Sequence, residues 1–146
     1  MLSYEVLDFI ADSYIPLVII YALLLIGLVA INKGLKLALT YLLVLGAGII
    51  PVYIIWYLDN RLQLWPTLEL DYSTHTALAL TVVVYLVIYK QKYVNYFVAS
   101  LIAYGLLMLY QQYHTLLDII TTAVVILPVA LAIFLFGKRK LLLNSV

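Results

Sequence analysis

The chain has 146 residues, 67% of them hydrophobic and only 10% charged, with a net charge of +1. Soluble domains carry about a quarter charged residues, so an ordinary soluble fold is excluded, and a balance so near neutral gives no electrostatic support for nucleic-acid binding. The absence of cysteine removes disulfides and thiol chemistry.

The first segment, residues 1–12, reads MLSYEVLDFIAD. Leu2, Val6, Phe9 and Ile10 recur at helical spacing, while Glu5, Asp8 and Asp12 lie elsewhere around the wheel. The pattern predicts a short amphipathic helix lying in a membrane interface. Its acidic start does not match the basic opening of a secretory signal.

A helix needs about 20 mainly apolar residues to cross a bilayer. Five segments approach or exceed that length: Tyr14–Ile31, Leu35–Leu58, Ser73–Tyr89, Tyr93–Tyr110 and Thr115–Gly137. The breaks between them are short and polar. Unpaired backbone groups in hydrocarbon are costly, so the crossing segments must be helices. The expected architecture is an all-α polytopic membrane bundle in one domain: an interfacial helix over 1–12, about five transmembrane helices over 13–137, and a tail over 138–146. Pro51 and Pro128 fall inside the second and fifth spans, where membranes tolerate them. The GAG run at 46–48 offers small residues for close helix approach within the chain or in a homo-oligomer.

Alternating crossings sort the charges by side. Lys33, Lys36, Lys90, Lys92, Lys138, Arg139 and Lys140 fall at one end, and Arg61 alone at the other. All seven acids fall with Arg61: Glu5, Asp8, Asp12, Asp59, Glu69, Asp71 and Asp118. Basic residues in short loops stay cytoplasmic. The expectation is a multi-pass protein of the cytoplasmic membrane with its N-terminus outside and its C-terminus inside. Many of the 14 tyrosines, including Tyr14, Tyr57, Tyr72, Tyr89, Tyr93, Tyr110 and Tyr113, lie near span ends, where an aromatic belt is expected.

The only two histidines open the third and fifth spans, in YSTHTALAL and YHTLLDII. Both therefore belong to the outer face. Asp118 follows His114 by four residues, on the same helix face. A carboxylate there is expected to accept from one imidazole nitrogen and leave the other free. Asp118 also stands inside an apolar helix, where charge is costly and usually functional. Ser73 or Thr74 is expected to cap the third helix, whose free amides favour an anion. A zinc centre built from His75, His114 and Asp118 is an alternative reading of the same residues.

The order of these elements resembles the type 2 phosphatidic acid phosphatase superfamily of membrane lipid phosphatases. That family carries Lys-x6-Arg-Pro, then Pro-Ser-Gly-His, then Ser-Arg-x5-His-x3-Asp. Here YSTH matches the second motif at Ser73 and His75, and HTLLD matches the end of the third at His114 and Asp118. The resemblance covers roughly residues 50–137. It implies that His114 is a nucleophile taking a phosphoryl group, that Asp118 orients it, and that His75 protonates the leaving alcohol, with no metal or other cofactor. The implied substrate is a membrane lipid phosphate, such as a phosphatidate or a polyprenyl pyrophosphate. The chain departs from the motifs at Tyr72, Thr74, Leu107 and Met108, which replace proline, glycine, serine and arginine, and the first motif is absent. Phosphoryl transfer depends on cations around the transferring oxygens. Arg61 is the one candidate, with helix-start amides at Ser73 and Thr74 and the hydroxyls of Tyr72 and Tyr113 as further substrate contacts. The competing reading is a non-catalytic scaffold, accessory or immunity subunit, or small channel descended from that fold.

Overall fold

A computed structural model describes residues 3–143, whose regular structure is entirely helical. Five α-helices follow in order: α1 (Tyr4–Lys33), α2 (Leu35–Leu62), α3 (Thr74–Tyr89), α4 (Val94–Tyr110) and α5 (Leu116–Leu143). Short 3-10 turns at Pro66–Leu68 and Gln91–Tyr93 lead into α3 and α4. The stretches Tyr4–Lys33, Leu35–Leu62, Gln91–Tyr110 and Leu116–Leu141 are long and apolar enough to cross a bilayer. The chain is an all-α bundle of multi-pass type.

The shortest helix is the central one. α3 has 16 residues, which at the standard rise spans about 24 Å. It packs on all four of the other helices. Every residue from Ala79 to Leu86 is buried, as befits a helix that is apolar all round. Around it α4 packs on α1, α1 on α2, and α2 on α5. α4 and α5 share almost no close backbone contact, although a short loop joins them.

Several boundaries differ from the sequence reading, among them the end of α2, which runs to Leu62 rather than Leu58. The interfacial helix and the first span are one element, since α1 runs unbroken from Tyr4 to Lys33. Nothing in the junction ADSY supplies a stop, and Pro16 is accommodated inside the helix. Leu2, part of the expected amphipathic face, lies outside the described residues. At the other end α5 continues past Gly137 through the basic run to Leu143, and residues 144–146 of the expected tail lie outside the described residues. Between α1 and α2 the connection is Gly34 alone, at φ 96°. That backbone conformation is open to glycine and strained for other residues, which explains the glycine in NKG.

Apolar burial gives helices little reason to associate in lipid, so close packing and interhelical hydrogen bonds must hold the bundle. Both occur. Gly48 of α2 faces the ring of Phe134 on α5 so closely that a methyl group there would overlap it. Gly137 meets Val44 and Tyr89 in the same way. Tyr72 Oη donates to the Val52 carbonyl at 3.1 Å, Tyr89 Oη to the Phe134 carbonyl at 3.2 Å, and Lys138 Nζ to the Ile88 carbonyl at 3.1 Å.

Candidate functional site

The segment between α2 and α3 is fastened onto the start of α5. Asp59, buried at the end of α2, accepts the Trp65 backbone N–H at 2.8 Å. Trp65 Nε1 then donates to Thr121 Oγ1 at 3.0 Å, the Asp71 N–H to Asp118 Oδ1 at 2.7 Å, and the Ser73 N–H to Thr122 Oγ1 at 3.1 Å. Positions 118, 121 and 122 share one face of a helix. A single polar stripe on α5 therefore holds the whole loop. Ser73 caps α3: its Oγ accepts the Thr76 N–H at 3.2 Å and donates to Thr76 Oγ1 at 2.8 Å.

This stitching sets His75, the second residue of α3, beside His114 in the α4–α5 loop. Their ring centroids lie 6.4 Å apart, with the planes tilted by 51°. Two hydrogen bonds through one intervening atom span about 5.6 Å, so the imidazoles can share a small polar group. A cavity of about 140 Å³ opens between them, lined also by Asp12, Tyr104, Met108 and Tyr113. On its far side His114 borders a wider cleft of about 450 Å³, with Asp71, Leu109, Tyr113 and Asp118. That cleft lies over the loop joining α4 to α5, with Asp71 on its other side.

The carboxylates play roles other than those expected. Asp118 does not hold His114. Its Oδ2 accepts from the Thr115 N–H at 2.8 Å and from Thr115 Oγ1 at 2.7 Å, while its own N–H reaches Thr115 Oγ1 at 3.2 Å. This is a reciprocal capping box, and with Asp71 it explains the buried charge. The carboxylate nearest the imidazole is that of Asp71, with Oδ2 3.6 Å from His114 Nδ1. Nδ1 itself is buried and makes no hydrogen bond. Burial lowers the pKa of His114 below its ordinary 6.5, against the opposing pull of Asp71 and Asp118, and nearby His75 adds to the lowering. Near neutral pH this imidazole is uncharged.

Of the expected substrate contacts, Tyr113 lines both cavities. Ser73 is fully buried in its cap, and Thr74 is half-buried beside it. Tyr72 is turned away: its hydroxyl is bound to Val52 and its ring stands edge-on to Trp65. Burial and then the Asp59 charge push that hydroxyl's pKa well above its usual value. Arg61 lies exposed over the ring of Tyr57, 5.5 Å from its centroid, and lines neither cavity. The expected phosphate clamp is therefore displaced. The alternative zinc centre also loses its third ligand, and among the described residues no three His, Asp or Glu side chains are grouped to hold a metal.

Three residues at the site were given no role in the sequence reading: Asp71, which faces His114, Asp12 and Tyr104. Asp12 reaches the cavity because α1 continues straight through the expected break. Tyr104 lies in mid-α4, away from any belt, with its hydroxyl buried and unpartnered and its ring stacked on Tyr14 at 4.3 Å. A tyrosine that far inside a span was the available signal. No protein-family model, curated protein or solved structure matches the chain. The likeness to lipid phosphatases therefore rests on the order and spacing of the motif residues.

Proposed function

We propose that the chain is a membrane lipid phosphatase or phosphotransferase working through its paired histidines, on the outer face of a cytoplasmic membrane. The observation that carries this reading is the meeting of His75 and His114, two motif residues from distant segments, with ring centroids 6.4 Å apart around one cavity. The neutral His114 ring attacks the phosphorus of a lipid phosphate through Nε2, since Nδ1 faces Asp71. The bond from phosphorus to the lipid oxygen breaks as protonated His75 gives that oxygen its proton. Water, or an acceptor alcohol, then displaces His114 from phosphorus and yields its proton to His75. Asp71 replaces Asp118 as the group that steadies the His114 ring. The lipid tail enters from the bilayer between the helices.

Purified protein is expected to release phosphate from phosphatidate or polyprenyl pyrophosphate with chelator present, through an acid-labile phosphoryl label on His114. His114→Ala abolishes both, and His75→Ala slows turnover at least about 100-fold. Release that persists in His114→Ala rejects the assignment.

A second reading has its own support. The small cavity carries Asp12 and no lysine or arginine, and Asp71 lies behind it. A phosphate dianion gains little there. On that reading the chain binds a lipid or partner without turnover. Failure to hydrolyse any lipid phosphate, with one lipid or protein co-purifying, favours it.

A further inference from the structure

We propose that the opposite end of the bundle carries a second site, a cleft between α1, α2 and α3 that binds the phosphate headgroup of one anionic lipid. The cleft measures about 370 Å³, within the range of about 300–1,000 Å³ typical of ligand sites. Its polar rim consists of Asn32, Lys33 and Lys90. No acidic residue lines it, and among the described residues neither lysine pairs with a carboxylate. The floor is rigid: Tyr85 packs on Tyr89 at 4.7 Å and Tyr41 on Tyr89 at 5.2 Å. The wall is apolar, formed by Leu25, Leu28 and Val29 of α1, and Leu28 is exposed on the outer surface of the bundle.

Each feature selects part of the ligand. Two unpaired ammonium groups at a membrane interface attract an anionic headgroup. A side wall that continues onto the lipid-facing surface of α1 accommodates the start of an acyl chain, which free phosphate lacks. The site is separate from the histidines, because Tyr85 and His75 are ten residues apart on α3, about 15 Å at the helical rise.

Native mass spectrometry of the full chain in detergent tests this, with phosphatidylglycerol, phosphatidylcholine of the same chains, and inorganic phosphate as probes. One phosphatidylglycerol per chain is expected to persist where phosphatidylcholine does not. Lys33→Ala with Lys90→Ala should weaken it about 25-fold, at roughly a five-fold loss per lysine. Val29→Trp, which fills the wall and spares both lysines, should also weaken it. Lys92→Ala with Lys140→Ala removes equal charge from the same end and should leave binding unchanged. An equal loss in that control overturns the cleft in favour of a diffuse basic surface. Retention through Val29→Trp, or displacement of the lipid by inorganic phosphate, overturns the lipid assignment.

Discussion

Asp118 accepts the backbone N–H of Asp71 at 2.7 Å while closing a capping box with Thr115 on its own helix. One buried carboxylate thereby sets the start of α5 and docks the loop that leads into α3. Removing it takes the charged acceptor from the part-buried N–H groups of Asp71 and Thr115, at about 1–1.5 kcal/mol each. Asp118→Ala is expected to lower stability by about 2–3 kcal/mol, read by thermal unfolding in detergent. Asp71→Asn keeps the same backbone bond and should leave the unfolding temperature nearly unchanged. Equal behaviour of the two variants would remove Asp118 from its architectural role.

The burial of His114 gives stability a pH dependence of definite sign. Its folded pKa lies below 6.5, so between those two values the unfolded chain binds a proton that the folded chain does not. The contribution is complete above 6.5 and is lost as pH falls through the folded value. His114→Gln should flatten that part of the stability curve. Asp71 opposes the lowering, so Asp71→Asn should move the titration of His114 to still lower pH, visible by NMR of labelled histidine. A rise would show that Asp71 does not face the ring.

The membrane class, the five apolar segments and the shared end of the two histidines were legible in the sequence because each rests on hydropathy and alternation alone, whereas the separate interfacial helix was not there to find. The roles of the acids were not. Four-residue spacing places His114 and Asp118 on one face of a helix, but His114 precedes α5, which begins at Leu116. The spacing rule therefore does not apply to it. Asp118 belonged to a local capping pattern, Thr-x-x-Asp, as legible as the functional one. Asp71 reached the imidazole through tertiary stitching by Trp65, Thr121 and Thr122, which no local pattern announces. The sequence reading put Arg61 in the loop before His75, but it lies in the last turn of α2, over Tyr57 and outside both cavities.

The GAG run resolves into one critical position. Ala47 is exposed and Gly46 has open space around it, whereas a side chain at Gly48 would meet the Phe134 ring. Gly48→Ala should therefore destabilise the α2–α5 contact by about 1–3 kcal/mol through overpacking. Gly46→Ala should be near neutral. Adding Phe134→Leu to Gly48→Ala should recover part of the loss in a double-mutant cycle. Strict additivity of the two changes would show that they do not touch.

The charge inside the small cavity decides between its two readings. Asp12 lines it together with both histidines. A like charge about 4 Å from a bound anion costs about 1 kcal/mol in water and more where water is partly excluded. If the ligand is a lipid phosphate, Asp12→Asn should lower KM or Kd about five-fold or more, by that energy. Arg61→Gln, altering a cation that lines neither cavity, should leave both constants within about two-fold, as for a remote surface charge. A cationic ligand reverses the first result: Asp12→Asn then weakens binding, and phosphate chemistry at the paired imidazoles is excluded. Measuring both variants against phosphatidate and against a zwitterionic lipid of the same chains separates repulsion at the headgroup from any change in the fit of the tail.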